Sequence, residues 1–537
     1  MNAAKDQTLR IRHKVGQMFM CGFMGTSPDK DILTLIQDYH IGGIIYFRRN
    51  IGTAEQVYAC SAALQRAAAE PLLIAIDQEG GMVARIEDGV TLMPGNMALG
   101  ATRNPEGVRQ AAAIAGAELR HLGINMNFAP CVDVNNNPAN PVIGVRSYGE
   151  SPLLVSEMGS AAAAGYQEAG VAATIKHFPG HGDTDTDSHL ALPSISHNRE
   201  RLAEVELLPF QRIIESGVDA VMTAHVVFKA YEDDVIPATL SENILTGLLR
   251  GELNFDGVIV TDCLEMNAIS QTVGVGAGAV QAVKAGADLI LVSHTYSWQV
   301  EAIEAVIEAV IRGEISEARI DASVQRLASL KAKRGITGAE PQAFPAIQQQ
   351  LASEASHEVA RTLSEQSITL LCDDGQLPLA EHEGIYVIWP EVRVNHEVVE
   401  ALQEEMTLGK ALKPYYDGVT ERIIGVDPSA EEIAMVLEES RSFTQIVAAT
   451  YNADFSPGQR QILQEFTART GCRLIVVAVR NPYDFTAVSG IRTYIASYEN
   501  KPLAMQSVAK VLAGLSFTRG VLPVTVGAFA YGSGIVS

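Results

Sequence analysis

The chain has 537 residues, 47% of them hydrophobic and 19% charged, and 40 Lys and Arg against 63 Asp and Glu give a formal net charge of −23. That length exceeds what one core holds and calls for two domains of unequal size. The composition is that of a soluble globular protein, and the negative balance argues against nucleic acid or an anionic membrane surface as a partner.

Residues 1–12 are polar and mixed in charge, without the apolar segment of a leader. No stretch approaches the ~20 apolar residues of a membrane span. The six cysteines are scattered, and four lie in or beside predicted strands, where a thiol behaves as a small apolar residue. The setting expected from this is reducing and cytoplasmic.

Residues 1–335 alternate short β-branched runs with longer Ala-rich stretches. Strands are predicted at Gln17–Phe23, Gly42–Phe47, Leu72–Asp77, Asn125–Pro130, Ala172–His177, Ala220–His225, Gly257–Asp262 and Asp288–Ser293. They are continuous apolar runs, as befits parallel strands buried on both faces. Helices are predicted between them, among them Thr53–Ala69, Glu106–Leu122, Leu153–Ala169, Arg199–Ser216 and Leu240–Glu252. Eight such units point to a (β/α)8 TIM-type barrel. Most of the strands end in a polar group: Arg48, Asp77, Asp133, Lys176 with His177, His225, Asp262 and Ser293. In a barrel these ends open on one face, which carries catalysis.

Asp77 opens Asp77-Gln78-Glu79-Gly80-Gly81, a carboxylate suited to the vicinal hydroxyls of a sugar, followed by a turn that lets backbone approach closely. Arg146 stands in the irregular run Ile143–Tyr148, either as a surface charge or as a guanidinium fork at a pocket mouth. Lys176 and His177 end a buried strand, and Pro179, Gly180 and Gly182 break the pattern behind them. The loop that follows carries Asp183, Asp185, Asp187 and His189. A merely solvated loop leaves unexplained why three of the chain's 12 histidines (His177, His181, His189) gather here. A calcium loop wants Gly at its sixth position and Glu at its twelfth, where Ser188 and Ser194 stand. Zinc, with three protein ligands, is a further reading. Acid–base chemistry is the fourth: Asp187 could fix the tautomer of His189 and raise its pKa toward neutrality. Asp262, at the end of Val258–Thr261, is the candidate nucleophilic carboxylate on a rigid element.

Arg334 to Ala346 is rich in Gly and Pro and reads as a boundary, giving a barrel over 1–335, a linker over 336–347 and a second domain over 348–537. The second domain opens with a helix near Gln348–Glu365. Strands follow at Ser367–Cys372, Gly384–Trp389, Thr444–Thr450, Arg473–Val479 and Thr493–Ser497, with helices near Asn395–Glu404, Ala430–Glu439, Pro457–Arg469 and Pro502–Leu515. About five strands with intervening helices suit an αβα sandwich. It has no GxGxxG fingerprint and no phosphate loop, so no nucleotide is assigned to it.

The run Lys176-His177-Phe178-Pro179-Gly180-His181-Gly182, with Asp187-Ser188-His189, resembles the signature of glycoside hydrolase family 3 β-N-acetylglucosaminidases of the NagZ-like, two-domain type. Asp77–Gly81, Gly144–Tyr148, Gly257–Asp262 and, in the second domain, Gly520–Val524 extend the match. The resemblance implies that Asp262 is the nucleophile of a retaining mechanism and that His189 with Asp187 forms the general acid/base pair. It implies that Asp77, Arg146, Lys176 and His177 bind N-acetylglucosamine, with neither cofactor nor metal. The implied substrate is a glycan ending in β-linked N-acetylglucosamine, from peptidoglycan-derived muropeptides in cell-wall recycling. Beside this stand a phosphorylase of the same family, a β-glucosidase, a metal-dependent hydrolase, and a non-catalytic amino-sugar-binding protein. The sequence leaves the oligomeric state open.

Overall fold

The computed structural model describes residues 2–184, 192–337, 343–393 and 406–536. Eight parallel strands form the first sheet: β1 Phe19–Cys21, β2 Gly43–Tyr46, β3 Leu73–Ile76, β4 Met126–Asn127, β5 Ala172–Phe178, β6 Ala220–Thr223, β7 Val258–Val260 and β8 Ile290–Val292. Each pairs with the next in chain order, and β8 pairs with β1. A bridge between Val260 and Leu289 joins β7 to β8 and closes the ring. All eight expected strands are present, and their residues are buried throughout because the sheet is covered on both faces.

The barrel helices follow expectation with two differences. The stretch Arg199–Ser216 is two helices, Arg199–Glu204 and Leu207–Glu215. Pro209 explains the break, since it lacks a backbone N–H and fits only the first turn of the second helix. The stretch near Leu240–Glu252 is a π-helix over Asn243–Glu252. The strand expected to end at His177 runs through Phe178, with a register shift against β6 between Ile175 and Phe178. Phe178 is fully buried, its ring edge-on to Phe210.

The second sheet has six strands: β9 Thr369–Cys372, β10 Ile385–Glu391, β11 Val419–Gly425, β12 Gln445–Thr450, β13 Arg473–Ala478 and β14 Thr493–Ala496. Their order is β9-β14-β13-β12-β10-β11, all parallel except β9. Helices Ala430–Glu439, Pro457–Thr467 and Pro502–Leu512 accompany it. Strand β11 was not anticipated. It is an edge strand with Glu421 and Arg422 in its middle, so it lacks the apolar run of a central strand. The helix expected near Gln348 begins at Glu354, where the Ser353 hydroxyl caps it. The helix expected at Asn395–Glu404 lies outside the described residues. Met82, Met97, Ala98, Ala101 and Val145, from loops and a helix above the barrel, join the apolar core of the second sheet, so the two units share an interior seam. Among the described residues no helix is long and apolar enough to cross a membrane.

Candidate active site

A cavity of about 500 Å³ opens at the C-terminal ends of the barrel strands, and Asp77, Arg146, Lys176, His177 and Asp262 all line it. Asp187 and His189 lie outside the described residues. The other strand-end groups stand close behind. Ser293 lines the same cavity. Asp133 supports His177, His225 supports the segment of Asp262, and Arg48 holds the carbonyl of Arg85 at 2.9 Å.

Lys176 projects from β5 and is 2% exposed. Its Nζ bridges Asp77 Oδ1 at 2.6 Å and Glu79 Oε1 at 2.7 Å. Arg146 sits in a short 3-10 turn, Gly144–Arg146. It is a buried fork, not a surface charge. Its Nη2 and Nε donate to the two oxygens of Glu79 at 2.8 and 3.0 Å. Burial opposes the charge on Glu79, Arg146 and Lys176, and the partners outweigh it. The Arg146 and Lys176 cations hold the Glu79 carboxyl well below the usual carboxylate range, and Asp77 and Glu79 raise the Lys176 ammonium. Two cations and two carboxylates thus form one bonded quartet, the condition for keeping charges in a buried site.

His177 is held by a second network. Its Nδ1 lies 2.7 Å from Asp133 Oδ2, and the same carboxylate accepts the amides of His177 at 3.2 Å and His181 at 2.7 Å. Burial pushes the Asp133 carboxyl up, but His177 and the His181 amide outweigh it and hold it at about 2. The carboxylate demands the proton on Nδ1 and turns Nε2 toward the cavity, 3.4 Å from Arg146 Nη2. His181 is buried beside His177, and burial followed by that neighbour lowers it to about 4, a neutral imidazole at physiological pH. Behind it Gly182 lies so close to the Val134 carbonyl that an added Cβ would overlap the oxygen.

Asp262 follows β7. Its Oδ1 accepts the amide of Cys263 at 2.7 Å. His225, fully buried, sets its Nε2 2.9 Å from the Cys263 carbonyl and its Nδ1 2.8 Å from Thr239 Oγ1. The carboxylate is thus oriented by a rigid strand end and a buried histidine. Burial pushes the Cys263 thiol up to about 12, so it stays uncharged beside Asp262.

Among the described residues, two groups place three ligand-type atoms within 4.8 Å of one another: Cys131, Asp133 and His177, and Asp183, His197 and Glu206. In the first, Asp133 is committed to N–H donors, and burial holds the Cys131 thiol far above its ordinary pKa. In the second, His197 pairs with Asp183 at 2.5 Å and Arg201 with Glu206 at 2.9 Å. Both are internal hydrogen-bonded networks. The cavity offers carboxylates and fixed N–H donors at close quarters, as a small polyhydroxylated ligand requires.

The profile described as the glycosyl hydrolase family 3 N terminal domain matches residues 10–330. The chain belongs to glycoside hydrolase family 3. A β-hexosaminidase A of Pseudoalteromonas piscicida is 32% identical over 557 residues, 94% of this chain and 92% of that relative. A β-hexosaminidase of Xylella fastidiosa is 36% identical over 284 residues, 52% of this chain and 83% of its own. The solved structure of a family 3 β-N-acetylglucosaminidase from Paenibacillus sp. FPU-7 superposes with a TM-score of 0.93 at 53% identity, over 96% of this chain and 98% of that one.

Within this family 3 site two residues carry more than their sequence context assigned them. Glu79 stands in the Asp77–Gly81 motif without a role of its own in the sequence, yet it joins Arg146 to Lys176. The signal was its place two residues beyond Asp77, directly before Gly-Gly. Asp133 is in the sequence only a strand-end acid, and its pairing with His177 is visible once β4 and β5 lie side by side.

Proposed function

We propose that this family 3 chain is a retaining, exo-acting β-N-acetylglucosaminidase. The observation that carries the reading is the placement of Asp262 in one cavity with Asp77, Arg146, Lys176 and His177. Asp262 serves as nucleophile. Its carboxylate attacks the anomeric carbon as the glycosidic C–O bond breaks and His189, paired with Asp187, protonates the departing oxygen. Water then attacks the glycosyl ester, His189 takes its proton, and the sugar leaves with its anomeric configuration retained. Asp77 and the Lys176–Glu79–Arg146 chain hold the hydroxyls of the terminal sugar, and His177 presents Nε2 to it. Groups fixed before binding contribute through orientation. We assign the natural substrate to peptidoglycan-derived muropeptides, the class that the Lys176–Gly182 and Asp187–His189 motifs imply. The six cysteines, all unpaired, suit a reducing cytoplasm.

Hydrolysis of 4-nitrophenyl N-acetyl-β-D-glucosaminide tests the reading. Wild type is active, and Asp262→Asn loses on the order of 10⁴-fold or more in kcat/KM. His189→Ala releases a burst of nitrophenol, because that leaving group needs no acid, and then stalls. EDTA leaves turnover unchanged. N-acetylglucosamine 1-phosphate formed in added phosphate would reassign the acceptor from water to phosphate. An unimpaired Asp262→Asn would sink the mechanism.

A further inference from the structure

Among the described residues, none that lines the cavity belongs to the second domain. That domain reaches the sugar-binding quartet from behind. After β14 the chain passes through Ser497–Lys501 into the seam between the two units. Tyr498 is anchored there by its hydroxyl on Thr369 Oγ1 at 2.7 Å, and Lys501 Nζ pairs with Glu87 at 2.7 Å. Between them Glu499 is 3% exposed and accepts the amide of Gly95 through Oε2 at 2.7 Å.

Gly95 is the N-cap of the helix Asn96–Thr102 and has no side chain to cap it with. The carboxyl from the other domain instead accepts the amide of the N-cap residue itself, one of the donors at a helix start that has no partner within the helix. The next residue, Asn96, donates from Nδ2 to the carbonyl of Arg146 at 2.6 Å. The same Glu499 oxygen lies against Gly81 so closely that an added Cβ there would collide with it. Gly80 and Gly81, at φ +95° and +53°, form the turn leaving Glu79. Glu499 therefore touches the turn that leaves Glu79 directly, and reaches the Arg146 limb through Gly95 and Asn96. A void of only about 10 Å³ separates it from that pair, so little space remains for the limbs to shift.

We infer that Glu499 is a positioning residue for sugar binding: through Gly95–Asn96 and the Gly80–Gly81 turn, the second domain fixes where Arg146 and Glu79 meet. The inference rests on the hydrolase reading above. Its effect falls on KM, because the limbs it holds carry binding groups and not Asp262.

The test uses the full chain, with steady-state hydrolysis of 4-nitrophenyl N-acetyl-β-D-glucosaminide and thermal melting of each variant. Glu499→Ala raises KM on the order of tenfold with a smaller change in kcat. Glu499→Gln keeps an oxygen for the Gly95 amide and restores KM to within about twofold. Lys501→Met, in the same seam, lowers Tm and leaves KM alone. An unchanged KM in Glu499→Ala, or an equal KM rise in Lys501→Met, overturns the positioning role. If Glu499→Ala does not fold, Glu499→Asp takes its place. Its shorter reach withdraws the acceptor, and a KM equal to that of Glu499→Gln overturns the inference. An inactive wild type removes the hydrolase reading instead. The positioning role is then read by calorimetry with N-acetylglucosamine, as a weaker Kd in Glu499→Ala or, on failure, an unchanged one.

Discussion

Lys176 does two jobs with one ammonium, separating Asp77 from Glu79 and neutralising both. Lys176→Met leaves two carboxylates facing across a buried gap. Breaking a buried ion pair by removing one partner costs about 3–5 kcal/mol, so this variant loses that order of stability in denaturant titration, besides its sugar affinity. At Asp133 the linkage to pH has a definite sign. Its folded pKa, about 2, lies below the unfolded value of ~3.9. The stability it contributes is therefore present above pH ~4 and is lost as pH falls through the folded value. Asp133→Asn melts lower than wild type at neutral pH, and its Tm falls less steeply with acid in that window. Parallel Tm curves between pH ~4 and 2 would contradict this.

At the scale of elements, the loop behind β5 is held by close packing as well as by hydrogen bonds. Gly182→Ala drives a methyl into the Val134 carbonyl, moving either the His181 loop or the β4 loop. A cost of about 1–3 kcal/mol in stability is expected, with activity falling further than Tm. Equal Tm and activity in the variant would mean that the two loops are not in register. The barrel strands were legible because each is an apolar run bounded by turn residues, and their C-terminal polar groups marked one face. Asp77, Lys176, His177 and Asp262 follow from that pattern alone. Strand β11 was not legible, because Glu421 and Arg422 at the centre of this edge strand interrupt the apolar run that marks the other strands. Glu79 and Asp133 escaped for another reason: their partners lie 67 and 44 residues away in the chain, and no local spacing records such a pairing.

Across the whole molecule, two buried acids of the second domain run opposite to Asp133. Burial raises Glu499 to about 7, against the pull of the Gly95 amide and Lys501, and raises Asp484 to about 7. Both bind a proton more tightly folded than unfolded. Their contribution is present below the unfolded values of ~4.3 for Glu499 and ~3.9 for Asp484 and is lost as pH rises toward 7. Glu499→Gln should therefore flatten the decline in Tm between pH ~4.5 and 7 relative to wild type, which differential calorimetry across that range reads directly. The bonded quartet of the sugar pocket has a different consequence, one that concerns ionic strength. Asp77, Glu79, Arg146 and Lys176 sum to zero within a few bonds, so they present no net charge to a neutral glycoside. Its KM should stay flat as salt is added. An anionic glycan must first approach a chain of net charge −23, a repulsion that 0.1 M salt screens over ~10 Å. Salt should therefore lower KM for a carboxylated muropeptide and leave that for a neutral chito-disaccharide unmoved.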